Sequence, residues 1–135
     1  MSKPDVRTYE EFWPYYVRAH SKDATRRIHA AGTTAVIASL AAFAVTGKVK
    51  YLMLAPVVGY GPAWYSHFFV EGNVPATFGH PLWSLRGDFE MYYRMLTGTM
   101  DAEVERYCRP DSSAQEPQPA SVESVTPVAT DPTMN

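Results

Sequence analysis

The chain has 135 residues, enough for one domain, or for one domain and a tail. It is 46% apolar and only 19% charged, with a formal net charge of −2, which speaks against an electrostatically driven nucleic-acid binder. The single cysteine, Cys108, excludes an internal disulfide framework and a Cys-rich zinc or iron–sulfur site, and no phosphate-cradling GxxxxGK[ST] or GxGxxG occurs.

The polar segment 1–11 lacks the apolar run of a secretory signal. Thr8-Tyr9-Glu10-Glu11 has capping-box spacing and opens a helix carrying Phe12, Trp13, Tyr15 and Tyr16. Pro14 lies past the first turn and is expected to kink this helix or start a new one. The helix should end near His20. Ser21-Lys22-Asp23 then reads as a turn, with Asp23 as the next N-cap.

A long helix follows from Ala24. The twenty residues between Arg27 and Lys48 carry no formal charge, and at ~1.5 Å per residue they span roughly the 30 Å of a bilayer core. Ala31, Ala35, Ala38 and Ala42 form a small-residue stripe at helical spacing, beside a bulky one of Val36, Leu40 and Phe43. Small stripes let helices approach closely in lipid, within one chain or between two copies in a homo-oligomer. Residues 47–50 read as a short polar turn. Residues 51–70 are again twenty without charge, interrupted by Pro56, Gly59, Gly61 and Pro62, which predict a kink.

The expectation is therefore an all-α fold: a helical hairpin of two transmembrane helices with flanking amphipathic helices. Six Lys/Arg precede the first span, two lie in the turn and four follow the second. The two spans make an integral membrane protein the expectation, and the positive-inside tendency places both ends in the cytoplasm. The soluble alternative is a four-helix bundle with these as its central helices. Past a loop at 72–75, Pro81 suits a first helical position, and 82–96 reads as an amphipathic helix with Arg86 and Glu90 an i,i+4 pair. Gly98 ends it, and Asp101 is placed to cap a last short helix. Residues 1–109 form the helical membrane domain. Residues 110–135 are rich in proline and lack aromatics, so they read as a disordered tail.

Chemistry centres on the histidines. His20 and His29 flank a turn and can meet across it, and His29 shares a helix face with Thr33. In the second span Tyr60, Trp64, His67 and Glu71 recur at i, i+4, i+7 and i+11. Ionisable groups at membrane depth are unfavourable unless they face a partner, a cavity or a metal. A hairpin that buries this stripe against the His29 end gathers imidazoles and a carboxylate. Such a set suits zinc, or ferrous iron with open positions. Taken singly, each aromatic reads as an interfacial anchor and each histidine as a polar edge residue. His80, next to Pro81, reads as a loop residue.

Two segments carry a resemblance. One is Tyr16-x-x-x-His20 with His29 nine residues on, then Gly32-Thr33. The other is residues 59–89, GYGPAWYSHFFVEGNVPATFGHPLWSLRGDF, above all His67-x-x-x-Glu71-x-Asn73-x-Pro75-Ala76. With the stretches around them, the likeness covers roughly residues 9–97. The chain resembles the short form of the Mpo-like family of small membrane 2-hydroxy fatty acid dioxygenases, linked to fatty acid α-oxidation. The resemblance implies Fe(II) as cofactor, His20, His29 and His67 as its ligands, and Glu71 as a catalytic base or fourth ligand. It implies a 2-hydroxy fatty acid and O2 as substrates, with membrane lipid around the protein. Members often carry Asn five residues after the first histidine, where this chain has Thr25. Arg26, Arg27 or Arg86 is placed to meet a substrate carboxylate, or serves as membrane-flanking charge. Two other readings stand beside it: a non-enzymatic membrane hairpin that scaffolds other proteins, and a zinc hydrolase independent of O2.

Overall fold

Helices alone make up the regular structure of residues 5–109, the part of the chain that the computed structural model describes. The expected tail, 110–135, lies outside the described residues.

Helix α1, Tyr9–Arg18, opens on the capping box. Thr8 Oγ1 accepts the Glu11 amide at 3.3 Å, while the Glu11 carboxylate reaches one residue further back, to the Arg7 amide at 2.8 Å. The helix runs through Pro14 as a single element. Its buried residues Tyr9, Phe12, Trp13, Tyr16 and Val17 fall on one helical face. They meet Ala76, Met91 and Met100 in the aromatic core.

Helix α2, Asp23–Thr46, starts one residue earlier than its sequence suggests, because Lys22 rather than Asp23 is the N-cap. Asp23 pairs instead with Arg27 at 2.7 Å and Arg26 at 3.6 Å. Gly47, in the left-handed region at φ 65°, ends α2, and Lys48 caps α3, Val49–Tyr65. The turn is thus two residues, shorter than the expected 47–50. Pro56 and Pro62 both stay inside α3. Pro62 has no N–H to give the Val58 carbonyl four residues back. That carbonyl lies against Gly32, where a Cβ would sit 3.2 Å from it.

The hairpin contact uses a different set of small residues from the expected alanine stripe. Gly32, Thr33 and Ser39 of α2 are buried, as are Ala55 and Ala63 of α3. Ala35 and Ala42 are only half-buried, and Ala31 and Ala38 are exposed. The face is set by backbone approach at Gly32 and Gly59; a Cβ on Gly59 would lie 2.8 Å from Val36 Cγ2. Among the described residues one helix, Asp23–Thr46, is long and apolar enough to cross a membrane. The 17 residues of α3 span about 26 Å, short of the ~30 Å bilayer core.

The chain then leaves α-helical register. Residues Ser66–Glu71 form a π turn, closed by the Gly72 amide on the carbonyl of His67, five residues back, at 2.8 Å. A short 3-10 turn, Ala76–Phe78, leads to α4, Pro81–Leu96, with Pro81 at its start as expected. Gly98 (φ 72°) ends α4: its amide bonds Met95 and that of Thr99 bonds Arg94, a Schellman cap. Helix α5, Met100–Cys108, carries Asp101 in its first turn, with Thr99 as N-cap.

The expected Arg86–Glu90 pair does not form. The Arg86 guanidinium lies over the Tyr9 ring, 3.7 Å from its centroid. Glu90 takes the Tyr9 hydroxyl at 2.6 Å and Arg94 at 3.0 Å. Both Arg86 and Glu90 thus tie α4 to α1.

Candidate metal centre

Three local geometries deliver three imidazoles to one place. His20 follows the end of α1, its amide bonded to the Val17 carbonyl. His29 sits in the second turn of α2, and His67 in the π turn after α3. Their ring centroids are 4.5, 4.6 and 5.1 Å apart, each pair close to perpendicular. One ring nitrogen of each lies within 4.8 Å of the others, and all three residues are buried. Among the described residues, no other His, Cys, Asp or Glu group has this arrangement.

Each ring is oriented by an acceptor on Nδ1. His20 Nδ1 meets the Tyr16 carbonyl at 2.7 Å, four residues back along α1. His29 Nδ1 meets Asp88 Oδ1 at 3.1 Å. His67 Nδ1 meets Asn73 Oδ1 at 2.7 Å, and the Asn73 amide is held that way round because its NH2 donates to the Ala19 carbonyl at 3.0 Å. A nitrogen facing an acceptor must carry the hydrogen, so in the neutral ring Nε2 keeps its lone pair. Nε2 of His20 and of His29 is buried with no hydrogen-bond partner among the described residues.

Burial, and then the neighbouring imidazoles His29 and His67, hold the His20 pKa well below the ordinary histidine range. Burial also lowers that of His67. Neutral imidazoles with free Nε2 lone pairs and Nδ1 tied to oxygen are the donor set that metal sites use. The residues present therefore fit a metal ion held by three nitrogens.

Around them lies a small cleft lined also by Tyr16, Ala63, Ala76, Thr77, Ser84 and Asp88. The Tyr16 ring stacks on His20, centroids 4.0 Å apart, and its hydroxyl donates to the same Asp88 oxygen that holds His29. Burial, then Asp88, raises the Tyr16 pKa far above the ordinary phenol range, so the hydroxyl stays a donor. Gly87 makes room for this ring; a Cβ there would lie 2.8 Å from Tyr16 Cε2.

The structure does not bring Glu71 to the three nitrogens. Its carboxylate accepts the Ser21 amide at 3.1 Å, the Lys22 amide at 3.2 Å, Thr25 Oγ1 at 2.6 Å and the Ser21 hydroxyl. Burial alone would raise its pKa, but these donors together lower it. Glu71 thus supplies from a distance the cap that Lys22 lacks, and Thr25 turns toward it rather than toward a ring. The predicted Tyr60–Trp64–His67–Glu71 face is broken because the π turn shifts the register: Trp64 is exposed against Phe78 while His67 is buried.

His80 also stands apart, stacked on Trp83 at 5.0 Å. None of the three arginines lines the cleft. Arg26 bonds the carbonyls of His20 and Ser21, Arg27 pairs with Asp23, and Arg86 covers Tyr9. Asp88 and Ser84 are the site residues that sequence reasoning missed. The pattern offered no signal, since both sit in an ordinary amphipathic helix.

Residues 6–100 match the family described as 2-hydroxy-palmitic acid dioxygenase Mpo1-like. The chain belongs to this family. The match spans the three histidines, Asn73, Ser84 and Asp88, hence every side chain that lines or orients the Mpo1-like site here. No curated protein and no solved structure matches the chain.

Proposed function

We propose that this Mpo1-like protein is an Fe(II)-dependent dioxygenase that shortens a 2-hydroxy fatty acid by one carbon. The observation that carries the reading is the trio His20, His29 and His67, each with Nδ1 on an oxygen and Nε2 free. These three are the proposed ligands. Ferrous iron held by these three residues would supply the one-electron chemistry that O2 requires to react with a closed-shell acid.

The overall reaction balances without an external reductant. A 2-hydroxy acid and one O2 give the acid one carbon shorter, one CO2 and one water. The chain's own residues hold the centre in shape. Asp88 fixes the His29 ring and the Tyr16 hydroxyl, Asn73 fixes His67, and Glu71 clamps the turn that carries His20. Glu71 is proposed as a positioning residue rather than a base.

The cleft encloses about 210 Å3 even with its open mouth counted. Pockets that swallow a drug-sized ligand are roughly 300–1,000 Å3. The cleft is therefore too small to enclose an acyl chain, and we propose that only the polar head of a long-chain acid meets the histidines there. Trp64 and Phe78, exposed and in contact at 5.3 Å, adjoin the lining residues Ala63 and Thr77 and offer that chain its first support. The far end of the hairpin, with Val45, Val49, Met53 and Val57 exposed, is proposed to lie in lipid with both termini on the cytoplasmic side.

Oxygen uptake by the Fe(II)-loaded protein in detergent, with 2-hydroxypalmitic acid supplied, tests this. Uptake matched one-to-one by CO2 and the shortened acid is expected, and His67→Ala should abolish both iron binding and uptake. Turnover that proceeds anaerobically, or wild-type iron content in folded His67→Ala, refutes the assignment.

A further inference from the structure

Ser84 is the fourth residue of α4 and faces the cleft, 3% exposed. Its hydroxyl is buried with no hydrogen-bond partner among the described residues. A helical serine usually returns its hydroxyl to the carbonyl four residues back. Here no such bond forms: the His80 carbonyl accepts only the Ser84 amide, at 2.8 Å. A buried hydroxyl without a partner disfavours the fold, so such a group calls for a ligand to satisfy it.

Apart from the half-buried Thr77 hydroxyl, the other hydrogen-bond donors of the cleft side chains are committed. The histidine Nδ1 donors go to Tyr16, Asp88 and Asn73, and the Tyr16 hydroxyl goes to Asp88. No lysine or arginine lines the cleft. A carboxylate entering it offers about four lone-pair sites and finds two hydroxyls there, Ser84 and the half-buried Thr77. Ser84 is the deeper of the two.

We propose that Ser84 Oγ donates a hydrogen bond to the carboxylate of the bound 2-hydroxy acid and so sets the orientation of its head group. The inference rests on the proposed substrate class. It adds a substrate-contacting residue in place of the arginines that the sequence suggested.

The test uses the full chain in detergent, loaded with Fe(II) and kept anaerobic so that nothing turns over. Binding of 2-hydroxypalmitic acid is compared with that of the matching 1,2-diol, in which CH2OH replaces the carboxylate. Ser84→Ala should weaken acid binding by about ten- to a hundredfold, the size of a hydrogen bond to a charged group, and leave diol binding within about twofold. Iron content should match wild type. The metal-free variant should melt no lower than wild type, since an unpartnered hydroxyl has been removed.

Equal acid binding by both proteins overturns the inference alone. An equal loss for acid and diol removes the carboxylate as the partner and overturns it too. Lost iron, a lower melting point or an unfolded variant gives the hydroxyl a structural role and overturns it as well. A wild-type protein that holds iron but binds no 2-hydroxy acid refutes the proposed substrate, and the inference falls with it.

Discussion

Asp88→Asn is the most informative single change, because one carboxylate oxygen serves two buried donors. Asp88 Oδ1 accepts from His29 Nδ1 at 3.1 Å and from the Tyr16 hydroxyl. Asparagine keeps the shape but not the charge. If its carbonyl faces the donors, two charge-assisted bonds become neutral ones. Each then drops from about 1.5–3 to about 0.5–1.5 kcal/mol, a combined loss of roughly 2–3 kcal/mol shared between fold and site. If instead the amide turns its NH2 toward His29, the ring must accept at Nδ1. The hydrogen then moves to Nε2, and the ligand lone pair is gone. Either orientation weakens metal binding, by the ten- to hundredfold typical of lost support around a ligand. Competition against a chelator of known affinity measures this, alongside thermal unfolding of the metal-free protein. Asp88→Ala should be worse on the second readout, because the fully buried Tyr16 hydroxyl then has no acceptor. Wild-type metal affinity in Asp88→Asn would refute the argument that Asp88 sets the His29 tautomer.

Glu71→Gln should lower stability at neutral pH. The Glu71 pKa is depressed in the folded state, so its contribution is full above the ordinary carboxylate range and is lost as pH falls through the lower folded value. The stability gap between wild type and variant should therefore close on acidification; a gap constant with pH, read by unfolding midpoints, contradicts the clamp. Gly87→Ala should reduce metal affinity and hold the melting point at or below wild type. The added Cβ would meet the Tyr16 ring at 2.8 Å, well inside the ~3.5–4.0 Å of a normal carbon contact, and the ring is backed by Trp13 and His20. A melting point raised by the helix preference of alanine, with unchanged affinity, would show that Tyr16 yields freely.

The legible parts of the fold were those written locally. The capping box at Thr8, the two long uncharged runs, Pro81 at a helix start and Gly98 past a helix end all depend on neighbours a few residues away. His20 and His29 were also placed correctly, because a turn between them leaves few ways for their rings to diverge. Asp88 was not legible. Its two partners lie 59 and 72 residues away in sequence, and within α4 it resembles any charge on an amphipathic face. Glu71 was misplaced for a related reason. An α-helical projection carries it one turn beyond His67 on the same face, but the π turn ends that periodicity. Its carboxylate reaches the amides of Ser21 and Lys22 instead. The alanine stripe failed because the contact face follows the closest backbone approach, which glycine sets at positions 32 and 59.

The distribution of polarity along the hairpin connects the site to the proposed substrate. In α2 the imidazole of His29 is buried, whereas Ile37, Leu40 and Val45 further along are exposed. In α3 and the π turn Leu52, Met53, Leu54 and Val57 are exposed, whereas Ser66 and His67 are buried. A water-soluble helix pair arranges these groups the other way, with aliphatic side chains inward and histidine outward. Exposed apolar side chains in such number call for something to cover them, which agrees with the lipid contact proposed above. On the proposed function, the head group of an amphiphile would meet the buried imidazoles at the cleft, and its chain would stay outside, beside Trp64 and Phe78. A long-chain 2-hydroxy acid carries its reacting carbon next to its carboxylate. On the proposed function, only the head of that acid has to enter the protein.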